Sequence, residues 1–226
     1  MKKTFLLSCL MLAAMPVMAA YTGRVYVDKN KNGVFDQSEK PLAGIKVSDG
    51  LNVVETAADG SFTLPGHERE RFIFITTPSG YKTFNRHYHK IEKKQSGYDF
   101  GLIPYSGRIR KDGSHRYIHI TDTEIFNTEN HADWVNNVHD YARNEQAAFI
   151  IHTGDICYEK GLKAHIKLMN TENMDCPVFY CIGNHDLVKG KYGEELFESI
   201  YGPVYYSFDA GNVHYVVTPM PGGDHA

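Results

Sequence analysis

Between Tyr21 and about Tyr105 the apolar residues come in short runs. Arg24-Val25-Tyr26-Val27, Ile45-Lys46-Val47 and Ser61-Phe62-Thr63-Leu64 alternate, and Arg71-Phe72-Ile73-Phe74-Ile75 is β-branched and aromatic. Asp49-Gly50 and Asp59-Gly60 supply turns between them. Closely spaced strands of this kind predict a small all-β sandwich over residues 21–105. The glycines and charges after Pro104 then read as a linker, placed at residues 106–114.

From residue 115 to 226 the period changes. Tyr117-Ile118-His119-Ile120, Phe149-Ile150-Ile151 and Val178 to Ile182 read as strands. Between Asn130 and Gln146, Trp134, Val135, Val138, Tyr141 and Ala142 form a helical stripe, and Glu159–Met169 and Glu194–Ser199 are shorter helix candidates. Tyr205–Asp209 and Val213–Thr218 read as a final strand pair. Strands spaced by helices imply a largely parallel α/β core, with its ligands beyond the carboxyl ends of the strands.

The N-terminus carries a different signal. Met1-Lys2-Lys3, the apolar stretch Phe5–Val17 and the small residues up to Ala19 and Ala20 predict a secretory signal peptide, residues 1–20, cleaved near Ala19/Ala20. The mature protein is then expected to be secreted or periplasmic. No later stretch is long and apolar enough to span a membrane. The formal charge is −3, from 24 Lys+Arg against 27 Asp+Glu, so the basic footprint of a nucleic-acid binder is missing. Oligomeric state is not readable. Cys9 leaves with the signal; Cys157, Cys176 and Cys181 remain, an odd number whose disulfide state is open and whose spacing matches no zinc pattern.

Two constellations carry chemistry. In Asp28-Lys29-Asn30-Lys31-Asn32-Gly33-Val34-Phe35-Asp36-Gln37-Ser38-Glu39, oxygen side chains stand at Asp28, Asn30, Asn32, Asp36 and Glu39. Gly33 falls at the sharp turn and Val34 offers a backbone carbonyl. That spacing is the twelve-residue calcium loop of EF-hand chemistry, here flanked by strand and turn instead of helices. A polar Asn/Gly turn that binds nothing is the plainer alternative. The loop and its surroundings resemble the B repeats of serine-aspartate repeat adhesins and related carboxypeptidase-like β modules, where calcium would rigidify the loop.

In the second half each strand candidate runs into polar residues: Asp122-Thr123-Glu124, Gly154-Asp155, and Gly183-Asn184-His185-Asp186. Parallel strands bring the three ends to one edge, where carboxylates, amide and imidazole suit hard divalent cations. This ordered set, over about Arg116 to Met220, resembles the leading half of the calcineurin-like metallophosphoesterase signature. The resemblance implies an αββα-type α/β domain, a phosphoester substrate and two divalent metal ions (Mn, Fe, Mg or Zn) about 3.5–4 Å apart. By carry-over Asp122 binds the first metal, Asp155 bridges both, Asn184 binds the second, and His185 contacts phosphate and assists the leaving oxygen. Asp186 is expected to orient His185.

Two departures from the family pattern stand out. Glu124 occupies a position where the family usually has His, so it is taken as a metal ligand favouring harder metals. The downstream Gly-His-x-His motif does not occur. His214 and His225 are not read as its replacement, and the α/β domain is therefore expected to be incomplete, with residues 1–226 alone inactive. His119 and His152 read as satisfied core histidines or as supports behind the ligands, not as ligands, and Cys157 reads as structural. Two functions follow: a secreted metal-dependent phosphoesterase for monoesters or diesters, or a non-catalytic calcium-stabilised surface or adhesion module fused to an incomplete phosphoesterase half.

Overall fold

The computed structural model describes residues 20–95, 97–106, 108–188 and 192–219. The signal-peptide reading, apart from Ala20, and His225 lie outside these residues.

Among the described residues nine strands build the first half: β1 (Ala20–Val27), β2 (Lys40–Pro41), β3 (Lys46–Ser48), β4 (Val53–Glu55), β5 (Ser61–Pro65), β6 (Phe72–Ile75), β7 (Tyr81–Thr83), β8 (Tyr88–Lys90) and β9 (Phe100–Pro104). They form two sheets, β2-β1-β9-β7 with β5 also paired to β1, and β4-β3-β6-β8. Val25, Leu64 and Leu102 of the first sheet and Val47, Ile73 and Ile75 of the second are fully buried in one shared core. The alternating runs are strands because one face of each meets that core.

β6 departs from alternation for a physical reason. Ile73 and Ile75 face the core of the first half, while Phe72 and Phe74 enter a second core with Phe149, Phe179 and Phe208 from the other half. A strand buried on both faces reads as an unbroken apolar run.

The second half begins with β10 (Tyr117–Ile120), α1 (Ala132–Asn144), β11 (Phe149–His152), α2 (Glu159–Leu168) and β12 (Val178–Tyr180), and ends with α3 (Glu195–Tyr201), β13 (Tyr206–Ala210) and β14 (Val213–Val217). β10, β11 and β12 are parallel and adjacent, with Ile118 level with Ile150 and Ile150 with Val178. Helices α1 and α2 cover one face through Val135, Ala142 and Ala164. The antiparallel hairpin of β13 and β14 covers the other, with Phe208 stacked on Phe179 at 3.6 Å.

The α1 stripe is narrower than the sequence reading. Val135 and Ala142 are buried and Val138 packs beside them, but Trp134 and Tyr141 are 39% and 60% exposed. The small Ala142 lets the helix meet the sheet along one line, which leaves the flanking rings outside.

The connection between the halves is a folded turn. Ile109 bridges His115, and Arg108 donates to the Ala147 carbonyl at 3.0 Å. The halves also meet through a strand bridge, Thr77 to Phe208, and an ion pair of Arg71 with Glu198 at 2.8 Å. Glu198 is 2% exposed and also accepts from Tyr192. Removing Arg71 would leave that carboxylate buried and without its cation, a costly state.

Among the described residues no strand pairs with the outer edge of β12, and side chains take up much of its polar backbone. The Val178 N–H donates to Thr171 Oγ1, and the Tyr206 hydroxyl both accepts from the Tyr180 N–H and donates to its carbonyl. Side-chain hydroxyls thus replace a strand.

Candidate metal centre

The parallel register sets Ile120, His152 and Tyr180 side by side, so the residues that follow them share one rim. Asp122 donates its N–H to the Gly154 carbonyl at 3.2 Å, tying the first loop to the second. The second and third loops interlock through their glycines. A Cβ on Gly154 would lie 2.5 Å from the Gly183 nitrogen, and one on Gly183 would lie 2.3 Å from Asp155 Oδ1. Gly154 also has φ +103°, so both space and backbone require glycine there. Asp122, Glu124 and Asp155 adopt φ of +53°, +43° and +52°. Left-handed backbone costs non-glycine residues roughly 1–2 kcal/mol each, and such strain clusters at functional sites.

The acidic groups are held in part by neighbouring donors. Asp155 Oδ1 accepts the His185 N–H at 3.0 Å, and Asp122 Oδ2 accepts from Thr121 Oγ1 at 2.6 Å. Glu124 Oε1 lies 3.4 Å from His185 Nδ1. The His185 ring stacks on Tyr158, with centroids 5.2 Å apart and planes 20° off parallel. Asp122, Glu124 and Asn184 are exposed, and Asp155 and His185 half-buried, so the rim opens to solvent.

Asp186 requires a correction. It does not orient His185; its Oδ2 accepts from the Gly183 N–H at 2.9 Å and its Oδ1 from the Cys157 N–H at 3.1 Å. Residues 184–186 form a single tight helical turn, whose third side chain folds back onto the amide that opens it. Asp186 is fully buried, and burial pushes its carboxyl up to about 6, against the opposing pull of those two N–H bonds. Its part is to pin the third loop to the second.

The rim carboxylates do not draw together by themselves. Among the described residues, the one group of three His, Cys, Asp or Glu side chains with ligand atoms within 4.8 Å of one another is Asp49, His67 and Glu70, in the first half. Like charges without a cation between them repel, and each rim carboxylate turns to its own neighbour. The Asp49 group is already engaged. Asp49 Oδ1 accepts from the Leu51 and Asn52 N–H groups, and Glu70 accepts from the Tyr21 hydroxyl and the His67 N–H. His67 Nδ1 accepts from the Arg69 N–H, which leaves its proton on Nε2, facing Asp49.

The remaining candidates fall outside the rim chemistry. Cys157, Cys176 and Cys181 are free thiols, and burial raises all three. His214 Nδ1 pairs with Asp209 across the hairpin at 2.6 Å, and His119 Nε2 meets Thr153 Oγ1 at 2.7 Å. The sequence reading missed Tyr158. Its available signal was an aromatic residue directly before the helix that follows Gly154-Asp155.

The loop from Asp28 to Glu39 closes on its own oxygens. Asp28 accepts from the Asn32 and Gly33 N–H groups, Asn30 from Asn32, Asn32 from Val34, and Glu39 from Lys29 and Asp36. Asp36 accepts from the side chains of Asn30 and Asn32. Gly33 turns at φ +73°. Asp28 and Glu39 are only 1% and 5% exposed, an unusual burial for carboxylates.

No curated protein matches the chain. Residues 29–104 match the family model for the N terminal of calcineurin-like phosphoesterase, and residues 115–223 match the model for calcineurin-like phosphoesterase itself. The rim of Asp122, Asp155 and Asn184 lies inside the second match, and the two together place the chain in the calcineurin-like phosphoesterase family.

Proposed function

We propose that the protein is a secreted or periplasmic phosphoesterase, hydrolysing phosphomonoesters or phosphodiesters at the rim where β10, β11 and β12 end. The observation that carries the reading is the interlock of Gly154-Asp155 with Gly183-Asn184-His185, which sets an acid, an amide and an imidazole side by side. Three carboxylates and an amide are hard oxygen donors, so the rim fits the divalent cations that the family implies. Asp122 and Glu124 would hold one, Asn184 the other, and Asp155 would be shared by both. When bound, the cations neutralise phosphate charge and activate water.

The chain's own groups do the rest. Asp155 fixes the His185 backbone through its N–H, so bridge and acid move as one unit. His185 Nδ1 is buried beside Glu124, which leaves Nε2 to reach the substrate. A proton carried on Nε2 passes to the leaving oxygen as the ester bond breaks. Tyr158 keeps the ring plane fixed by stacking. The test is hydrolysis of p-nitrophenyl phosphate and its bis-ester by the full-length protein with added Mn²⁺. Turnover that vanishes on chelation supports the reading; no turnover with Mn²⁺, Fe²⁺, Mg²⁺ or Zn²⁺ rejects it.

A second reading rests on the burial of Asp28 and Glu39. Buried carboxylates are costly unless hydrogen-bonded or paired with a cation; backbone N–H groups supply part of that pairing here, and a cation would supply the charge. In this reading calcium, held by Asp28, Asn30, Asn32, Asp36, Glu39 and the Val34 carbonyl, stabilises a non-catalytic surface or adhesion module. Calcium at millimolar concentration is expected to raise the thermal midpoint of the full-length protein, and Glu39→Ala to abolish the rise. A midpoint indifferent to calcium would dismiss the cation. Calcium stabilisation together with metal-dependent turnover would make the loop a scaffold for the enzyme.

A further inference from the structure

We propose that His152 is a positioning residue, clamping the two acidic loops of the rim through the chain Gly154 N–H, His152, Thr123 and so setting how tightly the rim holds its cations. The inference rests on the phosphoesterase reading above.

His152 is the last residue of β11, level with Ile120 of β10. It is fully buried. Its Nδ1 accepts the Gly154 N–H at 3.3 Å, so the proton of the neutral ring sits on Nε2. Nε2 lies 3.0 Å from Thr123 Oγ1, to which it donates. The Thr123 hydroxyl is then free to donate onward to the Ile156 carbonyl, 3.4 Å away. Burial lowers the imidazole to about 4, which agrees with a ring kept neutral.

The first loop needs such an anchor. Its side chains alternate: Asp122, Glu124 and Phe126 are exposed, whereas Thr123 is half-buried and Ile125 fully buried. Thr123 is thus the inward polar residue between two exposed acids whose backbone is left-handed. On the other side, the Gly154 N–H belongs to the residue directly before Asp155. One imidazole therefore grips the N–H of the residue before the bridging acid and the side chain between the other two acids. Its rigid ring offers an acceptor and a donor at opposite corners.

Thr123→Val keeps shape and removes the hydroxyl. His152→Asn keeps an acceptor for Gly154 and removes the donor to Thr123. In the full-length protein each is expected to weaken Mn²⁺ binding by about 10–100-fold, the usual range for groups that hold a ligand from behind. The readout is the free-Mn²⁺ signal in electron paramagnetic resonance. The double variant is expected to bind no worse than the weaker single one, because both cut the same link. Thr123→Ser, which restores the hydroxyl, is expected to restore affinity. A purely structural role would lower the melting temperature and leave the Mn²⁺ affinity of the folded protein intact, and that result in Thr123→Val overturns the inference alone. A wild-type protein that binds no Mn²⁺ overturns the phosphoesterase reading and this inference with it.

Discussion

Asp155→Ala is expected to reduce bound divalent metal from two ions per chain to less than one, and to abolish turnover. The expectation follows from two roles of one carboxylate. It is the acid shared by both proposed cations, and its Oδ1 accepts the His185 N–H. Removing it uncouples the second loop from the third as well as taking away charge. Asp155→Asn separates the two effects. The amide oxygen can still accept from His185, so the loop stays in place, while the neutral side chain bridges poorly. Asn is therefore expected to lose metal with little change in melting temperature, and Ala to lose both. Elemental analysis after desalting, run beside thermal melts, reads the difference. Full metal content in Asp155→Ala would remove Asp155 from the bridging role.

The second large effect belongs to His185. His185→Ala is expected to lower turnover by about 10²–10⁴, the range for a lost general acid. The loss should shrink as the leaving group becomes more acidic, because a good leaving group needs no proton. A series of aryl and alkyl phosphates supplies the slope. An equal loss on every ester would assign His185 to phosphate contact instead of proton transfer. Metal content should stay near wild type in this variant, since the Asp155 carboxylate remains. That separates it from Asp155→Ala.

Much of the second half was legible because its chemistry sits on regular structure. Phe149–Ile151 is an apolar run because its strand is covered on both faces, whereas Tyr117–Ile120 alternates between exposed Tyr117 and His119 and half-buried Ile118 and Ile120, and polar loops with the acidic residues follow both strands. Chain order plus a parallel sheet was then enough to bring Asp122, Asp155 and Asn184 to one edge. What stayed hidden depends on loop path and side-chain direction. Thr123 and His152 meet because the first loop turns back over β11, and no spacing in the sequence encodes that turn. Tyr158 reaches His185 from a helix start on a different segment. Asp186 was misread because adjacency to His185 suggested a ring partner, whereas the tight turn sends its carboxylate back to the Gly183 and Cys157 amides.

The first half shows the same division. The oxygens from Asp28 to Glu39 were readable as one closed loop, because they lie within twelve residues of one another. β6 was readable as a strand but not as the wall shared by the two halves, since its aromatic residues carry no record of what they face. The Arg71–Glu198 pair spans residues far apart in sequence and left no pattern to find.

The central claim is that the rim of the three strand ends holds two divalent cations bridged by Asp155. Anomalous diffraction from crystals of the full-length protein grown with Mn²⁺ tests it most directly. The account predicts two peaks at that rim, at the separation typical of two-metal sites, about 3.5–4 Å, with an Asp155 carboxylate between them and Asp122 and Asn184 on opposite sides. A rim without peaks, or manganese found only beside Asp49, His67 and Glu70, would contradict it.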